Sequence, residues 1–274
     1  MSNTKPRLSP EQISDIIQRY LSGASIKEIH RQRRYTEQTI HRQLIRAGIS
    51  LRSLSEAKRT LSLNESAFDE LTPEARYWIG FLFADGTIRR EKNNSDKIRL
   101  VLSSIDILHV EKFKRFVGAQ HKISSYSSKN AAIDTGLSEF CFRSNKIGAR
   151  LRELGLLGKQ GHIPSDDLKM CPHFWRGVVD GDGHVGIHNC GWKLRPHPSL
   201  ELCINKKMGE QFLNFVHTFV PDTKVKISWH RGIYRVRLVG KTAYPVIKSL
   251  YENSSVYLER KRHVADKILN TFSY

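Results

Sequence analysis

The sequence lacks any run of about 18 apolar residues, the length of a membrane-spanning helix, so we expect no membrane partner. Cysteine is scarce, with four residues in 274 and no Cys-x-x-Cys pair, which favours reduced thiols inside a bacterium, a phage-infected cell or an organelle. Acidic residues are outnumbered, with 27 Asp and Glu against 45 Lys and Arg, and the net charge is +18. This excess favours a polyanionic partner, with a ribosomal-type protein as the plainer alternative.

An apolar pattern occurs twice, at 77–86 (Tyr-Trp-Ile-Gly-Phe-Leu-Phe-Ala-Asp-Gly) and at 174–183 (Phe-Trp-Arg-Gly-Val-Val-Asp-Gly-Asp-Gly). Each copy carries small residues four positions apart, which lie on one face of a helix. Small side chains on a packed face allow two helix axes to approach closely. We therefore predict two helices that pack through a stripe of small residues: Gly80, Ala84, Gly177 and Gly181.

Both copies end in Asp-Gly, at Asp85 and Asp182, and each glycine is predicted to take the left-handed conformation that often ends a helix. Two carboxylates at adjacent helix C-termini are unfavourable, because each faces the negative end of a helix dipole as well as the other carboxylate. Divalent cations such as Mg²⁺ resolve this conflict, since they bind carboxylate and phosphate oxygens. The alternative is an ordinary Asp-Gly turn after each buried helix, and the repetition of the pattern favours metal binding.

The paired motifs resemble those of a single-chain LAGLIDADG homing endonuclease, and the resemblance covers residues 73–272. It implies that the motif helices form an interface and that Asp85 and Asp182 bind Mg²⁺, for which Mn²⁺ can substitute. It also implies that each half of a monomer cuts one strand of double-stranded DNA. The first motif departs from the family pattern at Phe83, where an earlier, non-catalytic Asp often stands, whereas the second keeps Asp180. This departure leaves the metal-binding positions unchanged.

Two backbone carbonyls and two lysines complete the expected site. The carbonyls of Ala84 and Gly181 lie beside the aspartates and are expected as extra metal ligands. Lys261 lies in a stretch similar to the family's late helix, whose lysine helps to polarise water or phosphate near the metals. Lys159 closes the first repeat and is expected to play the same role there. An ammonium group stabilises a developing pentavalent phosphate, and a simple phosphate clamp is the alternative.

After residue 72 the sequence contains the same order of predicted helices and strands twice. Glu-x-Phe-x-x-Phe-Val begins at Glu111 and again at Glu210, and Lys-Ile-Ser begins at Lys122 and again at Lys226. These echoes indicate an internal duplication with the order αββαββα in each copy. The predicted fold class is α+β, in which the resemblance implies two curved sheets that form a DNA-binding saddle. The predicted bounds are 1–60 for an N-terminal domain, 61–72 for a linker, 73–163 for repeat 1 and 164–274 for repeat 2.

Alternation along the predicted strands separates an apolar face from a cationic one. Ile98, Leu100 and Leu102 are predicted to point inward, and Trp229 to do so within a strand over 223–230. An antiparallel sheet with one cationic face fits the DNA major groove, although any solvated sheet has a polar face. The sheet residues predicted to contact DNA are Lys97, Arg99, Lys122, Lys224, Lys226, Ser228, His230, Arg235 and Arg237.

Residues 1–60 predict a small helical domain. N-terminal caps at Ser9 and Thr36, a capping box at Ser25-Ile-Lys-Glu28 and helical spacing of apolar residues predict three helices. The spacing resembles a resolvase-type helix-turn-helix, and a helical dimerisation unit with a solvated basic face is the alternative. The residues predicted to contact DNA here are Gln38, Thr39, Arg42 and Arg46.

Together these features predict a site-specific, metal-dependent endonuclease that cleaves both strands of DNA at a long site, encoded by an intron or free-standing. Two alternatives use the same scaffold. One is a DNA-binding transcription regulator that does not cleave, and the other is an intron maturase that binds structured RNA. Single-stranded RNA calls for exposed aromatic platforms, whereas the strand aromatics are predicted to be buried: Phe140, Phe142, Trp229 and Tyr234.

Overall fold

The computed structural model describes residues 8–33, 35–52, 61–127, 136–158, 161–190, 195–230 and 232–274. The chain divides into two compact units, Met1–Thr60 and Leu61–Tyr274. Each unit has a hydrophobic core of its own.

The smaller unit is helical, and side-chain caps begin its helices. Ser9 Oγ accepts a hydrogen bond from Gln12 N, while Gln12 Oε1 accepts one from Ser9 N. Ser25 and Glu28 exchange the same pair of bonds, and Thr36 Oγ1 accepts from the third helix. These caps satisfy amide groups that a first helical turn leaves without carbonyl partners. The helices are α1 (Pro10–Leu21), α2 (Ile26–Arg33) and α3 (Glu37–Arg46), around a core of Ile16, Tyr20, Ile29, Ile40 and Leu44.

The larger unit contains two repeats with one order of elements, and each repeat builds an antiparallel four-stranded sheet. The first sheet has the order β1-β2-β4-β3. The elements of the first repeat are α4 (Pro73–Asp85), β1 (Gly86–Arg90), β2 (Asp96–Ser103), α5 (Ile107–Phe116), β3 (Ser124–Ser127), β4 (Gly136–Arg143) and α6 (Asn145–Glu153).

The second repeat copies this arrangement, with the sheet order β5-β6-β8-β7. A short helix precedes its motif helix, and a further helix follows at its end. The elements are α7 (Asp166–Lys169), α8 (Pro172–Asp182), β5 (Gly183–Cys190), β6 (Arg195–Ile204), α9 (Lys206–His217), β7 (Ser228–His230), β8 (Ile233–Val239), α10 (Ala243–Tyr251) and α11 (Glu259–Thr271). The predicted fold class, α+β with two repeats, is confirmed.

Alternation along the central strands positions the core. Ile98, Leu100 and Leu102 of β2 are buried, as predicted, and so are Val236 and Leu238 of β8. Their neighbours along each strand face the other side of the sheet, because successive side chains of a strand alternate between its faces. One face of each sheet therefore belongs to the core, and the other face is polar.

The prediction of a left-handed glycine after each motif is wrong. Gly86 has φ −81° and ψ 157°, and Gly183 has φ −93° and ψ 168°, so both are extended. Each helix passes directly into the first strand of its sheet, without a turn. Glycine is needed for space instead, since a Cβ on Gly86 would lie 2.5 Å from the carbonyl oxygen of Leu82, and one on Gly183 would lie 2.7 Å from that of Val179.

Two of the edge strands are shorter than predicted. β3 begins at Ser124 and β7 at Ser228, so Lys122, Lys224 and Lys226 precede the strands. The prediction that Trp229 is buried is also wrong, because its side chain is 63% exposed. β7 is an edge strand of three residues that pairs only with β8.

The predicted linker 61–72 packs on the larger unit. Phe68 is buried there, and its ring meets Phe116 edge-on at a centroid distance of 5.2 Å. The backbone amide of Asn64 donates to the carbonyl of Val117 at 2.8 Å. The sequence does not predict this packing, because the segment has scattered polar residues and its contacts are made with a helix about 50 residues away.

Among the described residues, no helix is long and apolar enough to cross a bilayer.

Candidate nuclease centre

The motif helices α4 and α8 touch through their backbones. A Cβ on Gly177 would overlap the carbonyl oxygen of Tyr77 and lie 2.6 Å from the amide nitrogen of Phe81. A Cβ on Gly80 would likewise overlap the carbonyl oxygen of Phe174. Because these contacts are made by backbone atoms, no side-chain rotation can relieve them. Glycine at both positions therefore sets how closely the helices approach.

This packing brings the C-terminal ends of the two helices together. A Cβ on Gly181 would overlap the Cβ of Ala84 and lie 3.1 Å from Asp85 Oδ2. Asp85 is the last residue of α4 and is half-buried, and Asp182 is the last residue of α8 and is exposed. Each helix thus ends in a carboxylate at the junction, where the negative ends of both helix dipoles also lie.

Lys261 of α11 is buried beneath the end of α8. Burial lowers the pKa of Lys261 to about 8, although the nearby carboxylates Asp180, Asp85 and Asp182 act to raise it. Its Nζ lies between 2.6 and 3.3 Å from four carbonyl oxygens, those of Val179, Asp180, Gly181 and Gly183. The ammonium group therefore neutralises the C-terminal end of the helix and holds its last helical turn, which carries Asp182.

A buried polar network that the sequence does not predict lies behind the second motif. The Asp180 carboxylate accepts hydrogen bonds from Tyr77 Oη (2.8 Å), Tyr251 Oη (2.6 Å) and Leu258 N (2.8 Å). His109 Nε2 lies 2.9 Å from Tyr77 Oη, and it must donate, because that hydroxyl already donates to Asp180. Burial raises the pKa of Asp180, and the three hydrogen bonds act against this shift. The network joins the two repeats through one carboxylate.

The pseudo-equivalent pair on the other side of the interface is apolar. Phe174 stands where the first motif has Tyr77, and Phe83 stands where the second has Asp180. The rings of Phe83 and Phe174 pack edge-on with centroids 5.1 Å apart. The first position of each motif meets the seventh position of the other motif. These two contacts pair Tyr77 with Asp180 and Phe174 with Phe83, and this pairing is the signal that the sequence contains.

A cavity of about 190 Å³ lies beside Asp182. Its walls are mainly apolar, and the Asp182 side chain forms part of them. The lining residues are Phe83, His162, Val178, Asp182, Cys203, Ile204, Asn205, Met208 and Ile233. The space admits water or a phosphate oxygen next to the end of α8.

Cationic side chains occupy the polar face of each sheet. Lys97 and Arg99 lie on β2, while Arg235 and Arg237 lie on β8, where Arg237 is exposed. Ser228 and His230 lie on the neighbouring β7. Of the other predicted contacts, Lys122, Lys224 and Lys226 are exposed in the segments before the edge strands, and Lys159 lies outside the described residues.

In the smaller unit, α3 presents Gln38, Arg42 and Arg46 along one open groove, together with His41. Thr39 also belongs to the N-terminal cap of α3, because its hydroxyl lies 2.8 Å from Thr36 Oγ1 and its amide donates to the same oxygen. The groove combines amide and guanidinium groups, which bind base edges and phosphates.

The donor set at the junction of α4 and α8 fits Mg²⁺. Within the described ranges, no three His, Cys, Asp or Glu side chains cluster as a metal cage. The available donors are two carboxylates and adjacent carbonyls, all of them oxygen. Mg²⁺ binds through one or two carboxylates, keeps several waters and takes its remaining ligands from substrate phosphates. Of the two predicted carbonyl ligands, that of Gly181 is already 3.3 Å from the Lys261 ammonium.

No protein-family model matches this chain, and no curated protein matches it either. Solved structures of LAGLIDADG homing endonucleases are similar to it at low sequence identity. The homing endonuclease I-WcaI bound to its DNA recognition sequence is 14% identical, with 75% of this chain and 91% of that chain covered and a TM-score of 0.49. I-LtrWI bound to target DNA is 11% identical, with 76% and 91% covered and a TM-score of 0.48.

The meganuclease I-AabMI bound to uncleaved DNA is 12% identical, with 73% of this chain and 91% of that chain covered and a TM-score of 0.47. The part of the chain that the structure describes is a mixed α+β protein with two four-stranded antiparallel sheets, and its two motif helices pack through glycine.

Proposed function

We propose that this protein is a site-specific, metal-dependent endonuclease that cleaves both strands of DNA. One observation carries the proposal: two helices packed through glycine end side by side in Asp85 and Asp182. A purely structural junction gains nothing from two carboxylates at the negative ends of two dipoles. A site for divalent cations explains both the acids and the close approach of the helices that carry them.

Asp85 and Asp182 would hold the metal ions, with the Ala84 and Gly181 carbonyls nearby. When bound, Mg²⁺ (or Mn²⁺) would polarise the phosphate and lower the pKa of a bound water. The chain itself keeps the two carboxylates in place by glycine packing, so their separation does not depend on flexible loops. Lys261 supports the proposal as a positioning residue, since its ammonium is bonded to the carbonyls around Asp182. Lys159 is proposed for the first half on the resemblance alone.

DNA binding is the part of the proposal that the charge distribution supports. Two sheets in one unit each present arginine or lysine on a polar face, and α3 of the smaller unit adds a second cationic surface. The major groove admits either protein strands or a helix, so both surfaces can contribute to recognition of a long DNA site. The free thiols among the described residues, those of Cys141, Cys171 and Cys203, support a reducing compartment. We propose a monomer, because both aspartates come from one chain.

The test uses the purified full chain and a randomised DNA library that includes sequences flanking its own gene. Bound DNA is selected in Ca²⁺, the metal is exchanged for Mg²⁺ or Mn²⁺, and the new ends are sequenced. We expect cleavage at one long site. Asp85→Asn and Asp182→Asn should keep binding and lose cleavage of at least one strand. Asp166→Asn, an exposed acid on α7, is the matched control and should cleave normally.

A bound site that stays intact in both metals would instead establish a DNA-binding regulator, and the proposed endonuclease would be wrong. Loss of binding in both aspartate variants would show that the acids are structural. These outcomes are separable, because binding in Ca²⁺ is measured before any cleavage is possible.

RNA binding, as in an intron maturase, is a second candidate, and the exposure of Trp229 favours it. This indole is 63% exposed and meets the Tyr234 ring at a centroid distance of 4.8 Å. An exposed indole that is supported by a second, half-buried ring can stack an unpaired base. We expect Trp229→Ala to weaken binding of intron RNA about tenfold or more, without change in double-stranded DNA binding. Equal RNA affinity in the variant would remove this candidate.

A further inference from the structure

Each sheet has a cross-strand pair of one arginine and one glutamate at equivalent positions. The strand that carries the arginine in one sheet carries the glutamate in the other. The strand positions are fixed by register: Gly86, after the first motif, pairs with Leu100, and Gly183, after the second, pairs with Leu202. The residue before each partner leucine is Arg99 in the first sheet and Glu201 in the second. These two residues are therefore pseudo-equivalent, and they have opposite charges.

The same inversion occurs on the neighbouring strand. Phe140 lies opposite Leu100, and Val236 lies opposite Leu202. The residue before each is Glu139 in the first sheet and Arg235 in the second. The diagonal pair thus reads Arg–Glu in one half of the protein and Glu–Arg in the other.

In the first sheet this pair is locked. Arg99 Nη2 donates to Glu139 Oε2 at 2.7 Å and to Tyr126 Oη at 3.0 Å. The carboxylate is 17% exposed, whereas the guanidinium is 39% exposed. The Glu139 carboxylate therefore fixes the Arg99 guanidinium, whose outer edge is exposed to solvent. A guanidinium fixed in this way reads the O6 and N7 acceptors of guanine in the major groove.

In the second sheet the groups are close but not bonded. Glu201 lies 3.8 Å from Arg235 Nη1 and 3.7 Å from Arg237 Nε, beyond hydrogen-bond distance. Arg235 Nε is buried and has no hydrogen-bond partner among the described residues. The Glu201 carboxylate keeps its capacity to accept, and the amino group at N4 of cytosine is a donor that an acidic side chain reads in the major groove.

We infer that Glu139 and Glu201 are specificity-determining residues. Glu139 orients Arg99 toward guanine in one half-site, and Glu201 accepts from cytosine at the pseudo-equivalent position of the other. Since equivalent positions prefer different bases, the target is not a palindrome there. The inference rests on the DNA-binding part of the proposed function. Stabilisation of the sheets alone explains it less well, because Glu201 makes no hydrogen bond to either arginine and an acid on this face repels phosphate.

The test is a binding selection on the full chain in Ca²⁺, followed by sequencing of bound DNA, so no cleavage is required. We expect Glu139→Gln to lower the preference for guanine at one position about tenfold, and Glu201→Gln to lower that for cytosine at another by a similar factor. The two positions should lie equally far from the centre of the site. Glu210→Gln, which removes the same charge from the exposed face of α9, is the matched control and should keep both preferences.

A charge exchange gives a second, gain-of-function test. Arg99→Glu combined with Glu139→Arg gives the first sheet the polarity of the second, and we expect its guanine preference to become one for cytosine. Unchanged base preferences in Glu139→Gln and Glu201→Gln, with a specific wild-type site, would overturn this inference alone. A wild-type chain that selects no sequence would overturn the proposed function together with it.

Discussion

Asp180 is a carboxylate buried between two repeats, and its charge depends on donors from three different elements. Tyr77 of α4, Tyr251 of α10 and the backbone amide of Leu258 all donate to it. A buried charge that loses a donor has no water to replace it, so such a loss costs more than the modest net gain from forming the bond. The side chain therefore ties the end of α8 to its surroundings.

We expect Tyr77→Phe to lower the free energy of unfolding by about 1–3 kcal/mol, because one donor to a fully buried carboxylate disappears. Urea unfolding at pH 7 measures this loss. In an Asp180→Asn background the same substitution should cost less, since the charge that needs the donor is gone. Equal losses in both backgrounds would show that Tyr77 acts through packing alone.

His109 gives the fold a pH dependence whose direction is set by burial. Burial lowers the pKa of His109 from 6.5 to about 3. The folded chain thus excludes a proton that the unfolded chain binds below pH 6.5, and stability falls as pH drops from there toward 3. The expected slope is up to about 1.4 kcal/mol per pH unit.

The measurement compares unfolding of the wild type with His109→Met between pH 7 and 5. Methionine is chosen because Met208 is the corresponding residue of the second repeat. The variant should lose less stability than the wild type over this range. His263→Gln, which removes an exposed histidine of α11, should follow the wild type. If stability falls equally with pH in the wild type and in His109→Met, His109 is not the source of the pH dependence.

At the scale of elements, the crossing of α4 and α8 decides the geometry of the site. Both helices are buried along most of their length. Glycine at the crossing removes the side chains that otherwise hold two helices roughly 8–10 Å apart. The positions of the two aspartates follow directly from this approach.

We expect Gly177→Ala to destabilise the protein by about 1–3 kcal/mol and to slow cleavage more than it weakens binding, since the helices must separate. Gly161→Ala is the matched control. A Cβ there meets its nearest neighbour at 3.6 Å, an ordinary contact, and stability should change by less than about 0.5 kcal/mol. Thermal unfolding and cleavage rates measure both effects. A tolerated Gly177→Ala would show that the crossing is less tight than these contacts indicate.

The sequence predicted elements whose signals are local. Caps at Ser9, Ser25 and Thr36 predicted the helices of the smaller unit, because each cap bonds an amide three residues away. The alternation of Ile98 and Leu100 predicted β2, and the duplication predicted two repeats. Small residues four apart predicted which helix faces meet.

What the sequence could not predict depends on partners far along the chain. Lys261 finds its carbonyls some 80 residues earlier, and its position relative to Asp182 follows from how α11 returns to α8. Trp229 is exposed on a three-residue edge strand, and alternation along a strand does not encode whether a helix covers that face. The extended glycines after each motif were mispredicted, because a direct passage from helix to strand and a left-handed stop use the same residue type.

At the scale of the whole molecule, the two units have separate cores and share a cationic character. Residues 1–60 contain twelve Lys and Arg against five Asp and Glu, a net charge of +7. The remainder of the positive charge lies in the larger unit, which also contains both aspartates. Binding and cleavage are therefore expected to separate when the chain is divided.

We expect a chain of residues 61–274 to fold cooperatively and to cut the same central site, with weaker DNA binding. Each phosphate contact that is lost reduces the slope of log affinity against log salt by about 0.9. Fluorescence anisotropy over a range of NaCl concentrations measures this slope for both chains. An unchanged slope would show that the smaller unit makes no phosphate contacts.

The diagonal pairs between the motif helices also bear on ancestry. A symmetric dimer of two second repeats would bury two Asp180 carboxylates, each facing Phe174 instead of a tyrosine hydroxyl. A dimer of two first repeats would set Tyr77 hydroxyls against Phe83. At these four positions each repeat is therefore matched to the other repeat and not to a copy of itself.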